Sequence, residues 1–136
     1  MAVVLIAEDD QDIAAVLVRL LARSGHTVTH APDGLAAFEQ AVAGRPDVVL
    51  TDLGMPRMDG LELTRALRRH PDLAETPIVM LSGHLRPGDT GPYEAGVCAV
   101  LLKPCPNEKL RDVVKEVAER GPHAHNGADA HHPVSV

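Results

Sequence analysis

The stretch DVVLTDLGMPRMDGLEL, residues 47–63, joins an apolar run to a carboxylate and then to a turn. Residues 48–51 have no polar face, which is typical of a strand buried on both sides of a parallel sheet. Gly54 and Pro56 disfavour the interior of a strand or a helix, so a turn is predicted directly after Asp52. Asp52 is therefore predicted to end a core strand at the start of a rigid turn.

Working outward from this stretch, short apolar segments alternate with helical periods along the whole chain. Apolar runs at 3–7, 48–51, 78–81 and 97–102 predict buried strands, and the alternating segment 26–31 predicts a partly exposed strand at the sheet edge. The segments between them repeat apolar residues every three or four positions, as amphipathic helices do. Such βα alternation predicts an α/β fold with right-handed crossovers and a doubly wound parallel sheet.

The apolar stripes also predict which residues the helices bury. The first helix carries a stripe of five residues, Ile13, Val16, Leu17, Leu20 and Leu21, and the second carries Leu35, Phe38, Ala41 and Val42. Asp33 and Asn107 are predicted to cap the second and fifth helices, and the third helix is predicted to begin near Asp59.

The fourth helix is predicted to be short or irregular because its segment contains Pro87, Gly88, Gly91 and Pro92. In a helix interior each proline costs roughly 3 kcal/mol and each glycine about 1 kcal/mol relative to alanine.

Composition excludes several classes of protein. A chain of 136 residues suits one domain, and its net charge of −6 disfavours a DNA-binding protein, which needs a basic face. No apolar run approaches the ~20 residues of a membrane span, so no membrane insertion and a cytoplasmic location are expected. Residues 122–136 have no apolar period, and they are predicted to form a disordered His-rich tail after a domain at 1–121.

Polar and charged residues follow four of the predicted strands. They are Glu8 and Asp9 after the first, Asp52 after the third, Ser82 after the fourth and Lys103 after the fifth. The carboxyl ends of parallel strands meet at one edge of the sheet, so these side chains are predicted to converge there. Each residue alone also has a structural explanation: Asp10 beside them as a helix N-cap, Ser82 as a turn residue, and Lys103 as a surface lysine.

The carboxylates taken together are harder to explain by structure alone. Two carboxylates ~4 Å apart repel by about 4 kcal/mol at an effective dielectric constant of about 20. A cluster of Glu8, Asp9 and Asp52 is therefore costly unless a cation offsets the repulsion, and oxygen-only ligands select Mg²⁺, or Mn²⁺ in its place. Lys103 and Ser82 would add a positive charge and a hydroxyl donor for a phosphoryl group.

Four segments, LIAEDDQDI, LTDLGMPRMDGLEL, VMLSG and LLKP, resemble in order and spacing the receiver domain of two-component response regulators. The resemblance covers residues 2–120. It implies a flavodoxin-like (βα)5 fold with a doubly wound, parallel five-stranded sheet in the order 2-1-3-4-5. It also implies that the peptide bond before Pro104 is cis.

The resemblance further implies a Mg²⁺ site. Glu8 and Asp9 would hold the ion, Asp9 directly and Glu8 through water. Asp52 and the backbone carbonyl of Gly54 would complete the protein ligands.

For the phosphoryl group, the resemblance implies that Asp52 is the phosphoacceptor, that the Ser82 hydroxyl closes on the group and that Lys103 pairs with one of its oxygens. The expected protein is a single-domain response regulator that accepts the group from a histidine kinase or phosphotransfer protein and contacts a downstream protein target. It would be a phosphoacceptor signalling protein rather than an enzyme, as a monomer or a weak dimer.

Other functions stay open at this point. A receiver-fold interaction module that works without phosphorylation is possible, although the complete set of acids, hydroxyl and lysine counts against it. A Mg²⁺ phosphatase would need a second carboxylate at position 54, where the chain has Gly54. The chain also departs from the family at Val100, where relatives carry Tyr or Phe, and at Cys105, where they carry Phe.

Overall fold

Strands and helices alternate from Val3 to Arg120 in the computed structural model, which describes residues 2–83 and 91–121. The strands are β1 (Val3–Ala7), β2 (Thr27–Ala31), β3 (Val48–Asp52), β4 (Ile78–Ser82) and β5 (Ala99–Leu102). The helices are α1 (Gln11–Arg23), α2 (Gly34–Gly44), α3 (Gly60–Arg69), α4 (Gly91–Ala95) and α5 (Asn107–Arg120). Each predicted strand is present within two residues of its expected bounds.

The five strands form one parallel sheet in the order β2-β1-β3-β4-β5, which confirms the predicted topology and places β2 at an edge. The register sets Asp52 opposite Leu81 and Ser82 opposite Leu102. Because all strands run the same way, the loops after β1, β3, β4 and β5 leave the sheet at the same edge.

Aliphatic side chains form a core on each face of the sheet. The core beneath α1 and α5 includes Ile6, Leu21, Leu50, Leu101 and Val114. The core beneath α2 and α3 includes Leu5, Leu63, Leu67, Ile78 and Met80. Strands buried on both faces explain why the four apolar runs lack polar alternation.

The predicted buried stripes of α1 and α2 are partly wrong. Ile13 and Val16 are 37% and 51% exposed, and α1 instead buries Ala14 together with Leu17 and Leu21. In α2, Leu35 and Val42 are likewise exposed, whereas Ala37 and Ala41 are buried. Small alanines therefore form part of the buried face of each helix, and some of the larger apolar residues lie at its exposed margin.

Aspartates begin three of the helices. Asp10 caps α1, Asp33 caps α2, and Asp59 caps α3 through a capping box with Glu62. The predicted cap of α5 is wrong, because Asn107 is its first helical residue and Pro106 occupies the cap position without a side-chain hydrogen bond. Proline has a fixed φ that is compatible with the start of a helix, but its side chain has no acceptor for the free N–H groups of the first turn.

Helix α4 has five described residues, in agreement with the predicted short fourth helix. Pro87 and Gly88, and the predicted tail at 122–136, lie outside the described residues. The C-terminal end of α4 is held by Arg68 of α3. Its guanidinium donates to the Gly96 carbonyl at 2.6 and 3.1 Å and to the Thr76 carbonyl at 2.6 Å.

Gly96 is suited to this contact in two ways. Its φ is +115°, and a Cβ there would lie 2.7 Å from Nε of Arg68. We expect Gly96→Ala to lower the free energy of unfolding by at least about 2 kcal/mol, since a left-handed conformation costs an L-residue roughly 1–2 kcal/mol and displaced hydrogen bonds add to it. Urea unfolding measures this loss.

Gly25→Ala is the matched control. Gly25 also has a positive φ, +93°, but nothing lies within 4 Å of the position of an added Cβ. Equal losses for the two variants would contradict the close packing of Arg68 on Gly96.

Candidate functional site

Lys103, at the end of β5, reaches across to the carboxylate that ends β3. Its Nζ lies 3.2 Å from Oδ1 of Asp52 and 4.0 Å from Oε2 of Glu8. Oδ1 of Asp52 also accepts the backbone N–H of Leu53 at 2.9 Å. The Asp52 side chain is 13% exposed, so the carboxylate is held firmly while remaining open to solvent.

The predicted acidic cluster is present. Glu8, Asp9 and Asp52 each offer a carboxylate oxygen, and these oxygens lie within 4.8 Å of one another. Glu8 is buried, Asp52 is partly buried and Asp9 is exposed. Three carboxylates face one ammonium group, and an all-oxygen donor set of this kind fits a hard divalent cation.

Electrostatics at the cluster act most strongly on Glu8. Burial raises the pKa of its carboxyl, and the negative charge of Asp52 raises it further. The N–H of Asp10, which donates to Oε1 of Glu8 at 3.2 Å, and the ammonium of Lys103 act in the opposite direction. The pKa of Glu8 is raised overall, so burial and the neighbouring carboxylates together outweigh the Asp10 N–H and the Lys103 ammonium.

Asp10 caps helix α1, as its structural explanation predicted, and does not belong to the acidic cluster. Its Oδ1 accepts the N–H groups of Asp12 and Ile13 at 2.9 and 3.1 Å. This N-cap turns the third acid of the Glu8-Asp9-Asp10 run toward α1, while the first two belong to the cluster.

The other predicted residues lie at the same edge. Ser82 is buried at the end of β4, and its carbonyl accepts the N–H of Lys103 at 2.9 Å. Gly54 is exposed two residues after Asp52. The Lys103–Pro104 peptide bond is cis, as the family resemblance implies.

Gly60 contributes to the site, although the sequence pattern assigned it only to the start of the third helix. A Cβ at this position would collide with the backbone carbonyl of Asp52. The N–H of Gly60 donates to the Leu53 carbonyl at 2.8 Å and closes the turn that follows the strand. An Asp-Gly pair at a helix start was visible in the sequence, but the close approach to Asp52 depends on the folded loop.

A family model for the response regulator receiver domain matches residues 4–115. The chain is 39% identical over 119 residues to the response regulator receiver protein CpdR of Brucella abortus, covering 84% of this chain and 92% of that protein. It spans about half the length of several transcriptional regulatory proteins that it also matches.

Solved structures agree with the fold. The chemotaxis response regulator CheY4 of Vibrio cholerae has a TM-score of 0.81 at 32% identity, covering 86% of this chain and 98% of that one. The receiver domain of sensor histidine kinase PA1611 of Pseudomonas aeruginosa, solved with a magnesium ion coordinated in its active-site cleft, has a TM-score of 0.80 at 28% identity over 87% and 98% of the two chains. No helix within residues 2–83 and 91–121 is long and apolar enough to cross a membrane.

The raised pKa of Glu8 predicts a pH-dependent stability of the metal-free protein. The folded state binds the Glu8 proton more tightly than the unfolded state, so stability falls as the pH rises from the ordinary value of 4.5 through the raised pKa. We therefore expect Glu8→Gln to raise the melting temperature at pH 8 by a few degrees, because the amide keeps an acceptor for Asp10 without the charge.

The gain should shrink as the pH is lowered toward 4.5, because the raised pKa leaves more of the Glu8 carboxyl protonated in the folded parent protein. Glu39→Gln, on the exposed side of α2, is the control and should leave the melting temperature unchanged both at pH 8 and near pH 4.5. Melting curves in the presence of a chelator measure both effects, and a Glu8→Gln gain that is independent of pH would contradict the electrostatic explanation.

Proposed function

The chain belongs to the response regulator receiver domain family of two-component signalling, and we propose that it accepts a phosphoryl group on Asp52 in a Mg²⁺-dependent reaction. The donor we propose is the phosphohistidine of a histidine kinase or a phosphotransfer protein, the partners with which receiver domains interact. The observation that carries the proposal is the 3.2 Å contact of the Lys103 ammonium with Asp52, which lies inside an acidic cluster.

The reaction is a displacement at phosphorus. A carboxylate oxygen of Asp52 attacks the phosphorus atom, a P–O bond forms, and the P–N bond to the donor imidazole breaks. The electron pair of that bond leaves with the imidazole, which takes up a proton. The product is a mixed anhydride of phosphate and the Asp52 carboxyl, and catalysis consists mainly of positioning and charge stabilisation.

The fixed position of Asp52 supports its role as the nucleophile. The N–H of Leu53 and the ammonium of Lys103 hold Oδ1 in place, and Gly60 lets the turn pack against the Asp52 backbone. When Asp52 forms the anhydride, its carboxyl loses its negative charge and no longer attracts the Lys103 ammonium. The ammonium would then move to a negatively charged phosphoryl oxygen. The lysine would then stabilise the charge that the transferred group carries.

Glu8, Asp9, Asp52 and the carbonyl of Gly54 are the residues that we propose hold the cation. The exposed Asp9 suits direct coordination, whereas the buried Glu8 suits contact through a water molecule. When bound, Mg²⁺, or Mn²⁺ in its place, neutralises the carboxylates and the charge on the transferred oxygens. The magnesium ion in the cleft of the related P. aeruginosa domain supports this choice of metal.

Ser82 is the residue that we propose to report the phosphorylated state. It is buried on the strand beside β3, one position beyond the partner of Asp52, and its carbonyl is bonded to the N–H of Lys103. Movement of its hydroxyl toward the phosphoryl group would therefore shift the backbone at the ends of β4 and β5. Val100 is buried on β5 and has no aromatic ring to change rotamer, so the output would run through the backbone near α4.

The remaining features of the proposal combine what the family implies with what the composition of the chain predicts. The protein would be a phosphoacceptor that promotes only its own phosphorylation and dephosphorylation, in the cytoplasm, as a monomer or weak dimer. Its output would be a contact with a downstream protein, without direct DNA binding. The receiver domain would span 1–121, and the His-rich residues 122–136 would form its tail.

Acetyl phosphate with Mg²⁺ should add one phosphoryl group to the protein, detected by intact-protein mass spectrometry. Asp52→Asn should abolish the addition because the amide is not a nucleophile, and a chelator should abolish it in the parent protein. Lys103→Ala should slow it about a hundredfold, the typical cost of removing one donor that stabilises developing charge.

Asp12→Asn is the control for a lost acidic charge near the site, since Asp12 is exposed on α1 and outside the cluster; it should be phosphorylated at the parental rate. Labelling that persists in Asp52→Asn would refute the assignment of the phosphoacceptor. A parent protein that is never labelled, with acetyl phosphate or with a histidine kinase, would favour an interaction module that works without phosphorylation.

A further inference from the structure

Two histidines bridge β1 and β2, one near each end of the strand pair. Near the amino end, Nδ1 of His26 accepts the N–H of Ala2 at 3.2 Å. At the carboxyl end, Nε2 of His30 lies 2.7 Å from the carbonyl oxygen of Glu8. A carbonyl oxygen only accepts, so Nε2 of His30 carries the proton and donates it to this bond.

The His30 bond acts on the peptide that joins the two acidic residues. The N–H of Glu8 donates to the Ala31 carbonyl at 3.1 Å, so both backbone polar groups of Glu8 are tied to the end of β2. The peptide unit is planar, and holding its carbonyl fixes the direction in which the chain continues to Asp9. The Asp9 side chain is exposed, so its direction depends on the backbone more than on packing.

His30 is itself anchored. It lies opposite Ile6 in the β1–β2 register, and its own carbonyl accepts a hydrogen bond from Nε2 of Gln40 on α2 at 3.2 Å. The imidazole is therefore presented from a fixed strand end, and the donor it offers to Glu8 does not have to be ordered when a cation arrives.

We propose that His30 is a positioning residue for the cation site: its Nε2–H holds the Glu8–Asp9 peptide so that the Asp9 carboxylate faces Asp52. This inference rests on the proposed function, because it concerns how the same site is organised. Hydrogen-bond partners behind metal ligands typically change metal affinity by about 10–100-fold when they are removed. His30 differs from such partners because it bonds to the backbone carbonyl of Glu8 and not to the side chain of a metal ligand.

The test is Mn²⁺ binding to the unphosphorylated protein, measured at pH 8 by the electron paramagnetic resonance signal of free Mn²⁺. We expect His30→Leu to weaken binding about tenfold. His30→Gln should bind nearly as well as the parent, because the glutamine amide places an N–H donor close to the position of Nε2. His26→Leu removes the matching bridge at the other end of the strands and should leave Mn²⁺ binding unchanged.

Phosphorylation by acetyl phosphate gives an independent readout. In His30→Leu the Mg²⁺ concentration for half-maximal rate should rise by the same factor as the Mn²⁺ dissociation constant, while the rate at saturating Mg²⁺ stays near the parental value. A residue that only supports the fold would lower the melting temperature of the metal-free protein without this shift.

The outcomes separate this inference from the proposed function. If the parent binds Mn²⁺ and is phosphorylated but His30→Leu binds Mn²⁺ equally well, the role of His30 is refuted and the proposed function stands. If the parent binds no Mn²⁺, both fail. If His30→Leu does not fold, His30→Asn replaces it: its shorter amide cannot reach Glu8, so affinity equal to that of His30→Gln would overturn the inference.

Discussion

The mutual repulsion of three carboxylates is the constraint on which the site depends. Glu8, Asp9 and Asp52 present oxygens within 4.8 Å of one another, and the only cation that the described residues bring to them within ion-pair distance is Lys103. At an effective dielectric constant of about 20, two carboxylates ~4 Å apart repel by about 4 kcal/mol, and solvent screening makes the repulsion weaker for the pairs that involve the exposed Asp9. A metal-free site of this kind is therefore under electrostatic stress, which a bound divalent cation would relieve.

The fold makes that stress possible by holding the carboxylates on rigid elements. Parallel strands place them at one edge of the sheet, and aliphatic cores on both faces fix the strands. Small backbone features then set the geometry. Gly60 allows the turn to close against Asp52, and the bonds of Glu8 to β2 hold the acidic loop. The sheet and its helices thus stabilise the fold, and the residues of the site lie at the strand ends and in the loops that follow them.

Much of this was predictable from local pattern. Apolar runs predict strands because a sheet buried on both faces leaves no polar alternation, and parallel strands require that residues following them converge. Asp52, Glu8 and Lys103 were found in this way. The buried faces of α1 and α2 were partly mispredicted, because periodicity weights Ile13 and Val16 by size whereas packing favours the small Ala14 against the sheet.

Contacts between residues distant in the chain were beyond the reach of the sequence. His30 acts on Glu8 across 22 positions, and Arg68 bonds to Gly96 across 28. Nothing in the neighbours of His30 distinguishes it from an ordinary residue of an exposed strand, and the guanidinium of Arg68 belongs to a basic run, Arg68-Arg69, that resembles the usual positively charged end of a helix. The hydrogen bonds of both residues can be recognised only once the backbone is folded.

The most direct test of the central claim is the titration of the Glu8 carboxyl by carbon NMR, in metal-free protein and at saturating Mg²⁺. The electrostatic account predicts that the pKa of Glu8 lies above its ordinary value of 4.5 without metal, because of burial and the charge of Asp52, and falls when Mg²⁺ binds. A Glu8 carboxyl that titrates at its ordinary value and does not respond to Mg²⁺ would contradict it.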